Sequence, residues 1–131
     1  MILDTSFLID LMDGDEGAVS MATRVESSES PQRIPAQVVY ELFVGVGYTE
    51  TPETEREKIR SVVESRPVVD TTPEIAKLAG RTNGKLERKG QTVSTGDVII
   101  GATARHYDEP VVTGNPEDFE VIPGVTVERY D

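Results

Sequence analysis

Four acidic residues fall where a carboxylate could do chemistry. Asp4 follows the apolar start of MILDTSFLIDLM, Glu41 lies in VYELFVG, Asp97 in STGDVIIGATARHY, and Asp118 in VVTGNPEDF. Each has an ordinary explanation. Asp4 can cap the helix that follows it. Glu41 borders an apolar helix face and can be solvated. Asp97 falls in a first helical turn, where the helix dipole favours negative charge. Asn115-Pro116 and the acids after it can form a turn. What the four share is placement at strand ends or near helix starts. Carboxylates gathered there repel one another and raise their pKa values, and a carboxylate beside a core is costly unless paired or bound to a metal. A hard divalent cation such as Mg²⁺ or Mn²⁺, which prefers carboxylate and water oxygens, relieves both problems. An all-acid site of this kind points to chemistry at phosphoryl oxygen.

The surrounding pattern supplies elements to position these residues. Residues 1–3, 33–35, 67–70, 109–113 and 125–128 read as short strands. Between them, residues 5–12, 16–29, 53–65, 73–88 and 94–104 read as helices, as does a stretch beginning near Pro35. Pro35 suits the first turn of its helix, whose apolar face is read as Val38, Val39, Leu42, Phe43 and Val46. Thr72-Pro73-Glu74 is a strong helix start. Strands alternating with helices predict an α/β fold, a three-layer α/β/α domain over residues 1–131 with a mainly parallel sheet of four to five strands. Ligands of such sheets bind outside the carboxyl ends of the strands, where the acids lie.

Composition narrows the function. The chain has no cysteine, which excludes disulfides and thiolate metal sites, and its single histidine, His106, disfavours a multi-histidine centre or a Ser-His-Asp site. His106 sits late in its helix and reads as a structural or surface residue. No apolar run is long enough to span a membrane and no basic-then-apolar leader is visible, so a cytoplasmic protein is expected. Acids outnumber bases 24 to 13, for a net charge of -11. That balance by itself opposes nucleic-acid binding. Concentrated salt weakens the objection, because the Debye length falls to about 3 Å near 1 M. An acidic, lysine-poor surface suits a salt-rich cytoplasm, and a halophilic setting predicts stability and activity that rise with molar salt.

Taken together and in order, MILDTSFLIDLM, VYELFVG, STGDVIIGATARHY and VVTGNPEDF resemble the motifs of PIN-domain ribonucleases, specifically the VapC toxins of toxin–antitoxin pairs. The resemblance implies Asp4, Glu41, Asp97 and Asp118 as catalytic, metal-holding acids, with Thr5, Ser6, Thr113 and Asn115 as supporting polar groups. It implies a Mg²⁺- or Mn²⁺-dependent hydrolysis of RNA, with transfer or ribosomal RNA as family expectations. It further implies a homodimer and a VapB-like antitoxin that blocks the site. Gly114 departs from the pattern, since such toxins often carry a basic residue there.

Positive charge for RNA must come from few residues. Arg81, Lys85, Arg88 and Lys89 recur at helical spacing, although a solvated helix face explains them equally well. The faces Phe7–Leu11 and Leu42–Val46 could offer apolar contact to an antitoxin, with core packing the simpler use. Two other functions fit the same acids: a phosphatase or flap-nuclease-like phosphoesterase, and a non-catalytic acidic binding module. Cleavage of DNA against RNA separates the first, and divalent-ion binding the second.

Overall fold

The computed structural model of the chain describes residues 1–130. Its elements in order are β1 (Ile2–Leu3), α1 (Thr5–Met12), α2 (Glu16–Ser27), β2 (Ile34–Pro35), α3 (Ala36–Tyr48), α4 (Pro52–Val63), β3 (Val68–Val69), α5 (Pro73–Arg88), α6 (Thr95–Tyr107), β4 (Val111–Thr113), α7 (Glu117–Glu120) and β5 (Val127–Arg129).

All strand pairs are parallel. β1 pairs with β4 (Ile2 with Val111), β4 with β5, and β2 with β3. A parallel bridge between Ile2 and Arg33 joins the two ladders, so the strands run β3-β2-β1-β4-β5 across. The chain first winds from β1 toward β2 and β3, then returns to the other side of β1. The crevice between β1 and β4 is therefore the switch point at which parallel sheets bind ligands. β1 and β4 are wholly buried, as expected of strands covered on both faces.

The core joins Leu3, Phe7, Leu8, Ile34, Val38, Ile100, Val112 and Phe119. A smaller cluster of Ile75, Ala79, Val98 and Ala102 holds α5 to α6. Among the described residues, no helix is long and apolar enough to cross a membrane.

The α/β class with a parallel sheet is as the sequence predicts, but several details differ. Pro35 does not enter the helix: it is the last residue of β2 and the extended N-cap of α3. Proline donates no ladder hydrogen bond, so it suits a strand end. Phe43, read as inward, is half exposed on α3, because Val38 and Leu42 alone are fully buried there. α6 continues to Tyr107 and ends on Asp108 in the left-handed conformation. The strands are shorter than the apolar runs that predict them, since only two or three residues of each reach a neighbour.

Candidate active site

Asp4 is fixed from both sides at the head of the β1/β4 crevice. Its backbone N–H donates to Val112 O (3.0 Å). Its side-chain Oδ2 accepts from Thr113 Oγ1 (2.7 Å) and Ser6 Oγ (2.8 Å). Asp4 is the N-cap residue of α1, yet its side chain makes no capping hydrogen bond. The carboxylate is thus spared for the crevice, and only 5% of the residue is exposed. Burial pushes its pKa up, opposed by the hydroxyls of Thr113 and Ser6 and the backbone of Thr5. The loop after β4 is tied to the same group, as Ser6 Oγ accepts from Gly114 N–H and Thr113 Oγ1 from Asn115 N–H, both at 3.0 Å.

Glu41 comes from the middle of α3. Its Oε1 accepts from Thr5 Oγ1 (2.6 Å) and its Oε2 from Gln37 Nε2 (2.9 Å). Gln37 stands one turn earlier on the same helix face, a spacing that brings side chains together. Gly96 faces this carboxylate so closely that a β-carbon there would lie well inside contact distance of Oε2, and 3.2 Å from Gln37 Nε2.

Asp97 is the third residue of α6, and its backbone N–H is capped by Ser94 Oγ (3.2 Å). The cap fixes the first turn and so aims the carboxyl. Burial, together with the negative charges of Asp4, Asp118 and Glu41, pushes the Asp97 pKa up to about 6 against the Ser94 hydrogen bond. Asp97, on α6, therefore feels the charge of three acids that come from the cap of α1, from α3 and from α7. Asp118 is exposed on α7, where the fully buried ring of Phe119 pins the turn to the core.

Hydrogen bonds from Ser6 and Thr113 hold Asp4 and one from Thr5 holds Glu41 at the head of the crevice, Asp97 follows the Gly96 that abuts Glu41, and Asp118 and Asn115 stand on the segment after β4. Among the described residues, no three acids stand close enough as they are to cage an ion. The chemistry of the donors nevertheless suits one, since they are carboxylates and hydroxyls only. His106 is exposed on the far turn of α6, stacked edge-on against Tyr107.

Three contributors escape a reading of the sequence. Gln37 is legible in principle from its position four before Glu41. Asp10 and Tyr130 are not, being 120 residues apart: Tyr130 Oη donates to Asp10 Oδ2 (2.6 Å). Burial and the Asp10 carboxylate push the Tyr130 pKa far up. This pair accounts for Gly114, whose added β-carbon would meet Tyr130 Oη at 2.7 Å and Asp10 Oδ2 at 2.9 Å. A basic side chain at this position would require the Tyr130–Asp10 pair to shift.

The PIN domain profile matches residues 1–125, and the chain belongs to the PIN-domain family. The curated proteins it resembles are VapC nucleases. It is 29% identical over 107 residues to the tRNA(fMet)-specific endonuclease VapC of Salmonella typhimurium, covering 82% of this chain and 81% of that one. It is 26% identical over 98 residues to ribonuclease VapC2 of Rickettsia felis, covering 75% and 73%. In three dimensions it is similar to DNA-bound VapBC of Salmonella typhimurium, with a TM-score of 0.87 at 26% identity over 98% of this chain and 96% of that one. The VapBC2 structure of Rickettsia felis, bound to promoter DNA, superposes with a TM-score of 0.90 at 21% identity over 99% and 98%.

Proposed function

We propose that this protein is a divalent-cation-dependent endoribonuclease, the toxin of a toxin–antitoxin pair. The observation that carries the proposal is the set of carboxylates at the switch point, with Ser6 and Thr113 bonded to Asp4, Thr5 to Glu41, and Asp97 half-buried within reach of their charge, and with no cysteine or histidine among them. Asp4, Glu41, Asp97 and Asp118 would hold Mg²⁺ or Mn²⁺. When bound, such an ion lowers the pKa of a water and neutralises charge on a scissile phosphate. The chain's own part is orientation. Ser6 and Thr113 hold Asp4, Thr5 and Gln37 hold Glu41, and Ser94 fixes the turn that presents Asp97. Asn115, whose backbone N–H is held by Thr113 Oγ1, would offer its amide to a phosphate or ribose oxygen.

Transfer RNA is the preferred substrate class, in line with the specificity named for the Salmonella relative; ribosomal RNA is the second. A VapB-like antitoxin and a second copy of the chain are the proposed partners, acting in the cytoplasm. Tyr40, Phe43, Val44 and Tyr48 expose apolar surface along α3 that supports an antitoxin there. The acid excess supports a salt-rich setting.

Purified protein should cut total RNA into discrete fragments with Mg²⁺ or Mn²⁺ and not with EDTA, and Asp97→Asn should cut nothing. Folded, antitoxin-free protein that neither cleaves RNA nor binds divalent ions would refute the proposal. Cleavage of DNA in preference to RNA would favour the wider phosphoesterase reading. Activity and stability that fail to rise with molar salt would remove the halophilic part alone.

A further inference from the structure

The surface of this acidic chain carries one concentrated exception. Lys77, Arg81, Lys85 and Arg88 are all exposed on α5. At 100° per residue they fall within a stripe about 80° wide. The buried residues Ile75, Ala79, Thr82 and Leu86 occupy a different face of the helix. Arg33, Arg56, Arg60 and Arg129 each form an ion pair with a glutamate. The four cations of the stripe form none among the described residues. Glu74, one turn before Lys77, is the acid that shares their side of the helix. Four unneutralised charges therefore line up in a molecule whose net charge is -11.

Their placement relates them to the carboxylates. Residues 89–94 connect α5 to α6, and a short connection makes neighbouring helices antiparallel. Ala79 and Asn83 of α5 share a groove with Val98 and Thr95 of α6. This register sets Asp97 level with Gly80 and Arg81. Lys85 and Arg88 then lie beyond the first turn of α6, at the end that carries Asp97. The turn there is hydrogen-bonded: Gly90 adopts φ 76°, with Gly90 N–H donating to Glu87 O and Gln91 N–H to Leu86 O, both at 2.9 Å. This is the paired-bond stop that glycine makes at a helix C-terminus.

We infer that this stripe is a phosphate track that leads the RNA backbone to the carboxylate centre. The inference rests on the ribonuclease reading. Successive cations along the helix are spaced by about 6 Å and the stripe is roughly 16 Å long, the scale of several consecutive phosphates. Contacts of that kind position a strand without reading its bases. They also give an acidic protein a local grip on a polyanion. Favourable interaction with the helix dipole accounts for Lys85 and Arg88 near the C-terminus, but not for Lys77 and Arg81.

The test uses the full chain with Lys77→Gln, Arg81→Gln, Lys85→Gln and Arg88→Gln combined, on an RNA that the wild type cuts. KM should rise about tenfold or more while kcat changes less than about threefold, and the log–log salt slope should weaken by about 0.7 for each phosphate no longer neutralised. A structural role alone would leave that slope in place. If the fourfold variant fails to fold, Lys77→Gln with Arg81→Gln and Lys85→Gln with Arg88→Gln serve separately, each losing part of the slope. Binding of the same RNA to Asp97→Asn, with and without the four changes, reads the track independently of cleavage. An unchanged KM, slope and RNA affinity in folded variants would overturn the track and leave the stripe as a face for an acidic protein. RNA left uncut by the wild type yet bound through the stripe would instead count against the ribonuclease reading.

Discussion

Replacing Gly96 by alanine tests whether the position of the Glu41 carboxylate matters. The new methyl would collide with Oε2 and lie 3.2 Å from Gln37 Nε2. The backbone has no reason to move, because the obstruction is the far end of a flexible side chain. Glu41 must instead retreat by roughly 1 Å to regain contact distance, loosening its hydrogen bonds from Gln37 (2.9 Å) and Thr5 (2.6 Å). Such bonds to a charged group contribute about 1.5–3 kcal/mol when buried, but Glu41 is only partly buried and water replaces much of what they supply. The alanine gains helix propensity of up to about 1 kcal/mol. Stability should therefore change by no more than about 1 kcal/mol. Activity is another matter, since a 1 Å misplacement of a reacting group can cost about 10²-fold. Single-turnover RNA cleavage beside thermal unfolding separates the two effects. In the Gly96→Ala background, Glu41→Asp should cost less than in the wild type, because the shorter side chain clears the methyl. A stable Gly96→Ala protein that cleaves within about threefold of the wild type would refute the placement of Glu41 at the reacting centre.

Three further outcomes are expected. With divalent ions removed, the raised pKa of Asp97, from the ordinary 3.8 to about 6, means that the native state keeps a proton the unfolded chain has already released. Stability should fall as pH rises from about 4 to about 6. The full displacement is worth at most ~3 kcal/mol, cut to roughly 1–2 by partial exposure. Asp97→Asn should remove that slope in denaturant titrations and gain the same amount above pH 6, while abolishing cleavage. Gly114→Ala should cost about 1–3 kcal/mol through overpacking, partly recovered when Tyr130→Phe removes the obstructing hydroxyl; equal costs in both backgrounds would contradict the packing account. Phe119→Ala should cost about 3–5 kcal/mol, measured by chemical unfolding, and weaken cleavage by freeing the turn that carries Asp118.

Much of this arrangement is legible in the amino-acid sequence. Asp4, Asp97 and Asp118 stand out because each lies at a boundary between an apolar segment and a turn, and parallel strands bring such boundaries to one edge; Glu41, in the middle of α3, is marked only by bordering an apolar helix face. Helix ends are readable where capping chemistry is local, as with Thr72 accepting from Ile75 N–H and Ser94 from Asp97 N–H. Phe43 departs from expectation because helical periodicity identifies an apolar face without setting its width. Strand lengths are overread because apolar character extends past the last ladder bond. The Tyr130–Asp10 pair is invisible, since nothing in local spacing joins residues so far apart. Gly114 therefore looks like a missing basic residue, when it is the space the pair requires.

The carboxylates enter the chain at residues 4, 41, 97 and 118. No continuous fragment much shorter than the domain contains all four. On the proposed reading, a growing polypeptide on the ribosome is harmless until its last helix docks, and a single proteolytic cut that lets the ends part disarms it. The danger such a protein poses to the cell that makes it begins with the completion of folding rather than with translation of any one segment.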